Sequence, residues 1–238
     1  MHSPRIAVDL FAAVAHFVLL IVICATNAGA DWGSGAGISL IMMQIVAIFA
    51  HLFYAYKLRK SNPPSKNTWK KERNLFKWVE YAISATLGTV SVFLSAESDP
   101  NGSLLALLIT LSITIQTVGY SLDLVRSGQK GFLKFKYLTQ AEFVQWLSAA
   151  VGQAADFGVV GAAVYAREDW SDAQKNWHFV PYIIGWSSFG ILNLFVLINY
   201  EGRGTQDDRL DNEKIELWYS ILSLLAKAFV FGSTGHYL

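Results

Sequence analysis

Long apolar stretches, broken by short polar ones, organise the whole chain. Seven of them reach the ~17–25 residues that a membrane-spanning helix needs. They cover residues 6–26, 38–56, 78–96, 103–125, 141–166, 179–200 and 216–236. Helices are expected over each, because backbone groups in lipid have only one another to bond. The polar segments between them are too short to form another domain, and no internal repeat or low-complexity tract is visible. The pattern predicts an all-α membrane protein: one seven-transmembrane-helix domain over residues 1–238, a multi-pass integral protein of the cell membrane.

Composition strengthens that picture. Hydrophobic residues make up 53% of the chain and charged ones only 16%, against about 25% charged in soluble domains. The net charge of +1 gives no field that would attract nucleic acid. The single cysteine, Cys24, lies in an apolar run, so no intramolecular disulfide and no cysteine-based metal site is expected. It reads as a buried core thiol. The first stretch resembles a secretory signal, with small residues at Ala28 and Ala30. Asp9 and His16 interrupt its apolar run, so it is expected to stay as the first helix.

Charge in the polar segments sets orientation. Between the second and third helices stand Lys57, Arg59, Lys60, Lys66, Lys70, Lys71, Arg73 and Lys77. Arg126, Lys130, Lys134 and Lys136 follow the fourth helix. Arg203, Arg209 and Lys214 follow the sixth, and Arg5 precedes the first. The opposite side carries only Arg167 and Lys175. The N-terminus is therefore expected in the cytoplasm and the C-terminus outside. The basic segment also suits anionic lipid headgroups. Trp32, Trp69, Trp170 and Trp177 read as interfacial anchors.

On this count Lys227 is the one basic residue inside a span, in "SILSLLAKAFVFGSTG". A lysine at the centre of a membrane helix costs at least ~2.5–3.5 kcal/mol. It sits about eleven residues from either end of its stretch, ~16 Å along a helix, too far for easy snorkelling. The alternative is a functional amine. A desolvated lysine can form a Schiff base with an aldehyde, and such a cation needs a counter-ion. Acids in or near spans are Asp9, Glu80, Asp123, Glu142 and Asp156. Asp9, Asp123 and Glu142 lie near the cytoplasmic ends, where headgroups or loops are in reach. Glu80 and Asp156 remain as partners for Lys227. His16 and His51, on neighbouring helices, suggest a proton-accepting cluster. Trp186 stands inside the sixth helix, as packing or as a flat wall beside a polyene. Helix five is rich in small residues, which allows close contact within the bundle or across a homodimer.

Seven helices with a lysine in the middle of the last suggest a retinal protein. The stretches "KWVEYAISATL", "TIQTVGYSLD" and "SLLAK" resemble the heliorhodopsins, inverted-topology microbial retinal proteins. Ser223 stands four residues before Lys227, where ordinary microbial rhodopsins have Asp. The charge count gives the inverted topology independently. The resemblance implies all-trans retinal bound covalently to Lys227 as a protonated Schiff base, with Glu80 as counter-ion. His16 and His51 would form the cytoplasmic polar cluster. Ser223, Ser84, Gln116, Tyr120 and Trp186 would line or support the pocket. The segment "NAGADWGSGAG" is shorter than its counterpart in heliorhodopsins, and Asp156 has no role in that family.

The expected function is light sensing with a slow photocycle and no ion pumping. Signalling would reach a cytoplasmic partner through the basic segment or through "EGRGTQDDRLDNEKIE". A light-driven or light-gated proton transporter is the alternative, with Glu80, His16 and His51 as one half of a path and Asp156 as the other. No catalytic triad or phosphate loop is visible, so no enzyme is expected. A zinc site at His16, His51 and Glu80 is disfavoured by their spacing.

Overall fold

A computed structural model of the chain describes residues 4–27, 29, 31–60, 68–97, 99–128, 140–199, 208–236 and 238. These form seven helices: α1 (Pro4–Thr26), α2 (Gly35–Lys60), α3 (Thr68–Ala96), α4 (Gly102–Gly128), α5 (Gln140–Ala166), α6 (Asp172–Asn199) and α7 (Asp208–Gly235). Among the described residues there is no strand. Each helix packs on the next and α7 returns to α1, closing a ring. α3 also touches α5, α6 and α7, so it is the central element. One end of the bundle, here the basic end, holds the starts of α1, α3, α5 and α7. The far end holds the starts of α2, α4 and α6.

Local chemistry fixes the far-end starts. The Ser34 hydroxyl accepts from the Gly37 N–H (3.1 Å) and caps α2. Asn101 Oδ1 accepts from the Ser103 and Leu104 N–H groups (2.8 and 3.4 Å) and caps α4. Ser171 and Gln174 bond each other's backbone N–H groups at the start of α6, a reciprocal capping box. Each such cap contributes ~1 kcal/mol.

Among the described residues, six helices, all but α6, are long and apolar enough to cross a membrane. Large apolar side chains cover the outside, among them Phe11, Phe17, Phe49, Val151, Ile191 and Phe195. Such a surface is at home in lipid and costly in water. The chain is thus a helical, multi-pass membrane bundle. Its core contains Leu40, Met43, Phe93, Tyr182, Trp186 and Phe231.

Several expectations change. The basic stretch read as a loop is largely helical, because α2 runs to Lys60 and α3 starts at Thr68. Lys77 is not a loop residue. It is 3% exposed, with its ammonium 5.2 Å from the Trp78 ring and 4.6 Å from that of Tyr219. Lys227 is therefore not the one basic residue held inside. Asp9 does not reach headgroups but is fully buried. Trp32 and Trp170 pack against the core, whereas Trp177 is 58% exposed. Cys24 is half-buried. In α5, Gly152 and Gly161 admit Ile115 of α4 and Phe179 of α6, so these small residues serve the bundle itself. Lys66, Lys130, Lys134, Lys136 and Arg203 lie outside the described residues, as do the side chains of Trp69 and Asp123.

Candidate functional site

The site grows from two helical repeats. On α7, Tyr219, Ser223 and Lys227 follow at four-residue intervals and share one face. On α3, Glu80 and Ser84 do the same. The two faces meet. Lys227 Nζ donates to Glu80 Oε1 and, at 2.8 Å, to Ser223 Oγ. The Ser84 hydroxyl donates to the same Glu80 oxygen at 3.0 Å. Lys227 is 1% exposed and Glu80 6%. The Tyr81 ring adds a π-face 5.6 Å from Nζ, and its hydroxyl donates to the Tyr219 carbonyl (3.3 Å). Burying both ions costs several kcal/mol each, which mutual attraction offsets only because the hydroxyls complete the shell.

Towards the basic end lies a second cluster. The Gln44 side-chain N–H donates to the Lys227 backbone carbonyl (3.3 Å), and its Oε1 stands 2.6 Å from His16 Nδ1. The rings of His16 and His51 stack with centroids 5.7 Å apart. His51 Nδ1 is 3.1 Å from Asp9 Oδ1, which also accepts from the Ser220 hydroxyl (3.3 Å). His16 Nε2 is buried with no hydrogen-bond partner among the described residues. The two histidines expected together are together. Asp9, Gln44 and Ser220 complete their cluster. Among the described residues no group of His, Cys, Asp or Glu could hold a metal ion.

Beside Lys227 a cavity of about 390 Å³ opens between α3, α4, α5, α6 and α7 and runs towards the basic end at Trp78, Trp146 and Tyr219. Ser84, Gln116 and Trp186 line it, as expected. Tyr120 does not. It packs behind the wall against Trp78, Tyr81 and Tyr219, supporting the pocket. Two glycines let indoles lie against helices. A Cβ on Gly119 would come within 2.3 Å of the Trp78 ring, and one on Gly88 within 2.9 Å of Trp186. Most of the wall is aromatic or small, including Tyr81, Trp146, Phe157 and Phe189.

Asp156 also lines the cavity and is 1% exposed. The Tyr182 hydroxyl donates to its Oδ2 at 2.6 Å, and the Gln153 side-chain N–H does so at 3.3 Å. Thr89 Oγ1 lies 3.1 Å from the Tyr182 hydroxyl. Asp156 thus has neutral partners of its own and is not bonded to Lys227, which left Glu80 as the pairing acid. Gln44 carried the same signal as the histidines, a polar side chain within an apolar run. Tyr182 and Thr89 carried none, being ordinary packing residues.

Comparison with protein-family models, with curated proteins and with solved structures returned no match.

Proposed function

We propose that the chain is a light-absorbing retinal protein of the heliorhodopsin kind, a photoreceptor rather than an enzyme. One observation carries the reading: a buried lysine, paired with a buried glutamate, at the wall of an aromatic cavity of about 390 Å³. That volume lies within the range of small-molecule sites, ~300–1,000 Å³. The residues suit a long conjugated aldehyde: an amine at one end, flat indole and phenyl walls, and glycines where a Cβ would fill space.

All-trans retinal joined to Lys227 as a protonated Schiff base would supply visible absorption and light-driven isomerisation. The chain's own residues do the rest. Glu80 balances the cation at Lys227, and Ser84 and Ser223 hold the pair in one geometry. Trp186, backed by Gly88, and Gln116 shape the cavity. Gln44, His16, His51 and Asp9 offer a buried place for a proton leaving the amine. In this reading the bundle crosses the cell membrane seven times, with its N-terminus in the cytoplasm. Signals pass to a cytoplasmic partner from the basic end, and the protein works as a homodimer.

The test is an absorption spectrum of the purified chain expressed with all-trans retinal. A visible band, absent in Lys227→Ala, is the expected result. A folded wild type with no band would end the reading.

A further inference from the structure

The cavity wall is mostly aromatic or small, but one corner of it is polar. Asp156 and Gln153 of α5, Thr89 of α3 and Ser112 of α4 all line it. Packing contacts give their depths. Gly152 of α5 meets Ile115 of α4, and the two helices run in opposite directions, so Asp156 reaches the level of Ser112. Thr89 joins the same corner through Tyr182, whose hydroxyl bonds Thr89 Oγ1 (3.1 Å) and Asp156 Oδ2 (2.6 Å). Glu80, the partner of Lys227, stands nine residues before Thr89 on α3, ~13 Å along the axis. The amine and the polar corner thus face one cavity from separate places.

Asp156 is only half satisfied there. The Tyr182 hydroxyl and the Gln153 side-chain N–H both donate to its Oδ2. Its Oδ1 has no hydrogen-bond partner among the described residues, although Asp156 is 1% exposed. A buried carboxyl oxygen left in that state is costly, and a partner from a bound molecule would remove the cost. An ionised carboxyl needs a donor at Oδ1, and a carboxyl protonated there needs an acceptor. A hydroxyl is both, so it suits either state. A hydrocarbon suits neither.

We infer that the cavity takes a retinoid aldehyde with a hydroxyl on its ring, and that Asp156 selects this ligand by hydrogen bonding the hydroxyl at Oδ1. The inference rests on the retinal reading above and narrows its ligand. With the aldehyde end at Lys227, the ring is the other end of the molecule. A hydroxyl at ring carbon 3 lies outside the conjugated chain, so it leaves the aldehyde's reactivity unchanged. Tyr182 and Gln153 hold the carboxyl from its other oxygen and leave Oδ1 for the ligand. A site built to bond a hydroxyl discriminates against the analogue lacking it, because the buried group is then left unpaired. Asp156 acts on which retinoid binds, not on the chemistry at Lys227.

The experiment is a competition. The full chain, purified without retinoid, is given an equimolar excess of all-trans retinal and all-trans 3-hydroxyretinal. The bound retinoid is then extracted and quantified by chromatography. A hydrogen bond to a buried carboxyl is expected to favour the hydroxylated aldehyde at least ~tenfold. Asp156→Leu should bring the ratio close to one. Asp156→Asn keeps the shape of the side chain and should lower the ratio several-fold, which covers a Leu variant that does not fold. A visible band with both aldehydes and a wild-type ratio near one would overturn this inference alone. So would a wild-type ratio kept in folded Asp156→Asn. No visible band with either aldehyde, in a folded chain, would overturn the retinal reading and this inference with it.

Discussion

Gln44 ties the histidine cluster to the backbone of Lys227: one amide accepts at His16 and donates to the lysine carbonyl on another helix. It is fully buried, so neither bond has water as a substitute. Gln44→Leu would leave His16 Nδ1 without this partner while Nε2 already has none among the described residues. Each buried polar group left unsatisfied costs ~1–3 kcal/mol. For a chain of this length, 1 kcal/mol moves the melting midpoint by ~2–4 °C. A fall of several degrees in Gln44→Leu is expected in detergent melts. The double variant Gln44→Leu/His16→Leu should lose less than the two singles added. Simple additivity would show that the amide and the ring are not coupled.

The ion pair of Lys227 and Glu80 predicts an asymmetry. Removing one partner leaves an uncompensated buried charge, which costs ~3–5 kcal/mol, whereas removing both can be nearly neutral. In the retinal-free protein, Glu80→Gln and Lys227→Met should each lower the unfolding free energy by about that much. The double variant should lie closer to wild type than either single. Unfolding by denaturant reads this directly. Equal, additive losses would mean that the charges do not see each other.

Much of this site was legible because a charge in an apolar run is conspicuous. Lys227, Glu80, Asp156, His16 and His51 all stood out on that ground alone, and the helices followed from apolar length. Depth and direction were not legible. Asp9 sits near a helix start and read as headgroup-reaching, yet its side chain faces Ser220 and His51. In lipid both the inside and the outside of a bundle are apolar, so periodicity does not say which way a residue points. Lys77 read as a loop residue because polar composition marks where lipid ends, not where a helix ends. Tyr182 and Thr89 matter here only through Asp156, a contact between α3, α5 and α6 that no local pattern encodes.

Close packing of indoles on glycines gives a third prediction. A methyl on Gly119 meets the Trp78 ring at 2.3 Å, well inside contact distance. Trp78 is buried beside Tyr81 and Tyr219 and also lines the cavity. Gly119→Ala should therefore cost ~1–3 kcal/mol, the usual range for overpacking. Trp78→Leu in the same chain should recover part of the loss, because the clashing edge is gone. Thermal melts of the single and double variants decide it. No loss in Gly119→Ala would mean that the ring swings aside freely.

The proposed orientation depends on α6. Over the described residues six helices are long and apolar enough to span, and α6 is not one of these. An even number of crossings would place both termini on one side, and an odd number on opposite sides. α6 packs against α5 and α7 and buries Tyr182, Trp186 and His178 within the bundle. That favours a seventh crossing. The charge bias then places the N-terminus inside and the C-terminus outside. Reporters active on only one side of the membrane, fused to each terminus in turn, should report opposite sides, the N-terminal one cytoplasmic. Reporters on the same side would remove α6 as a span.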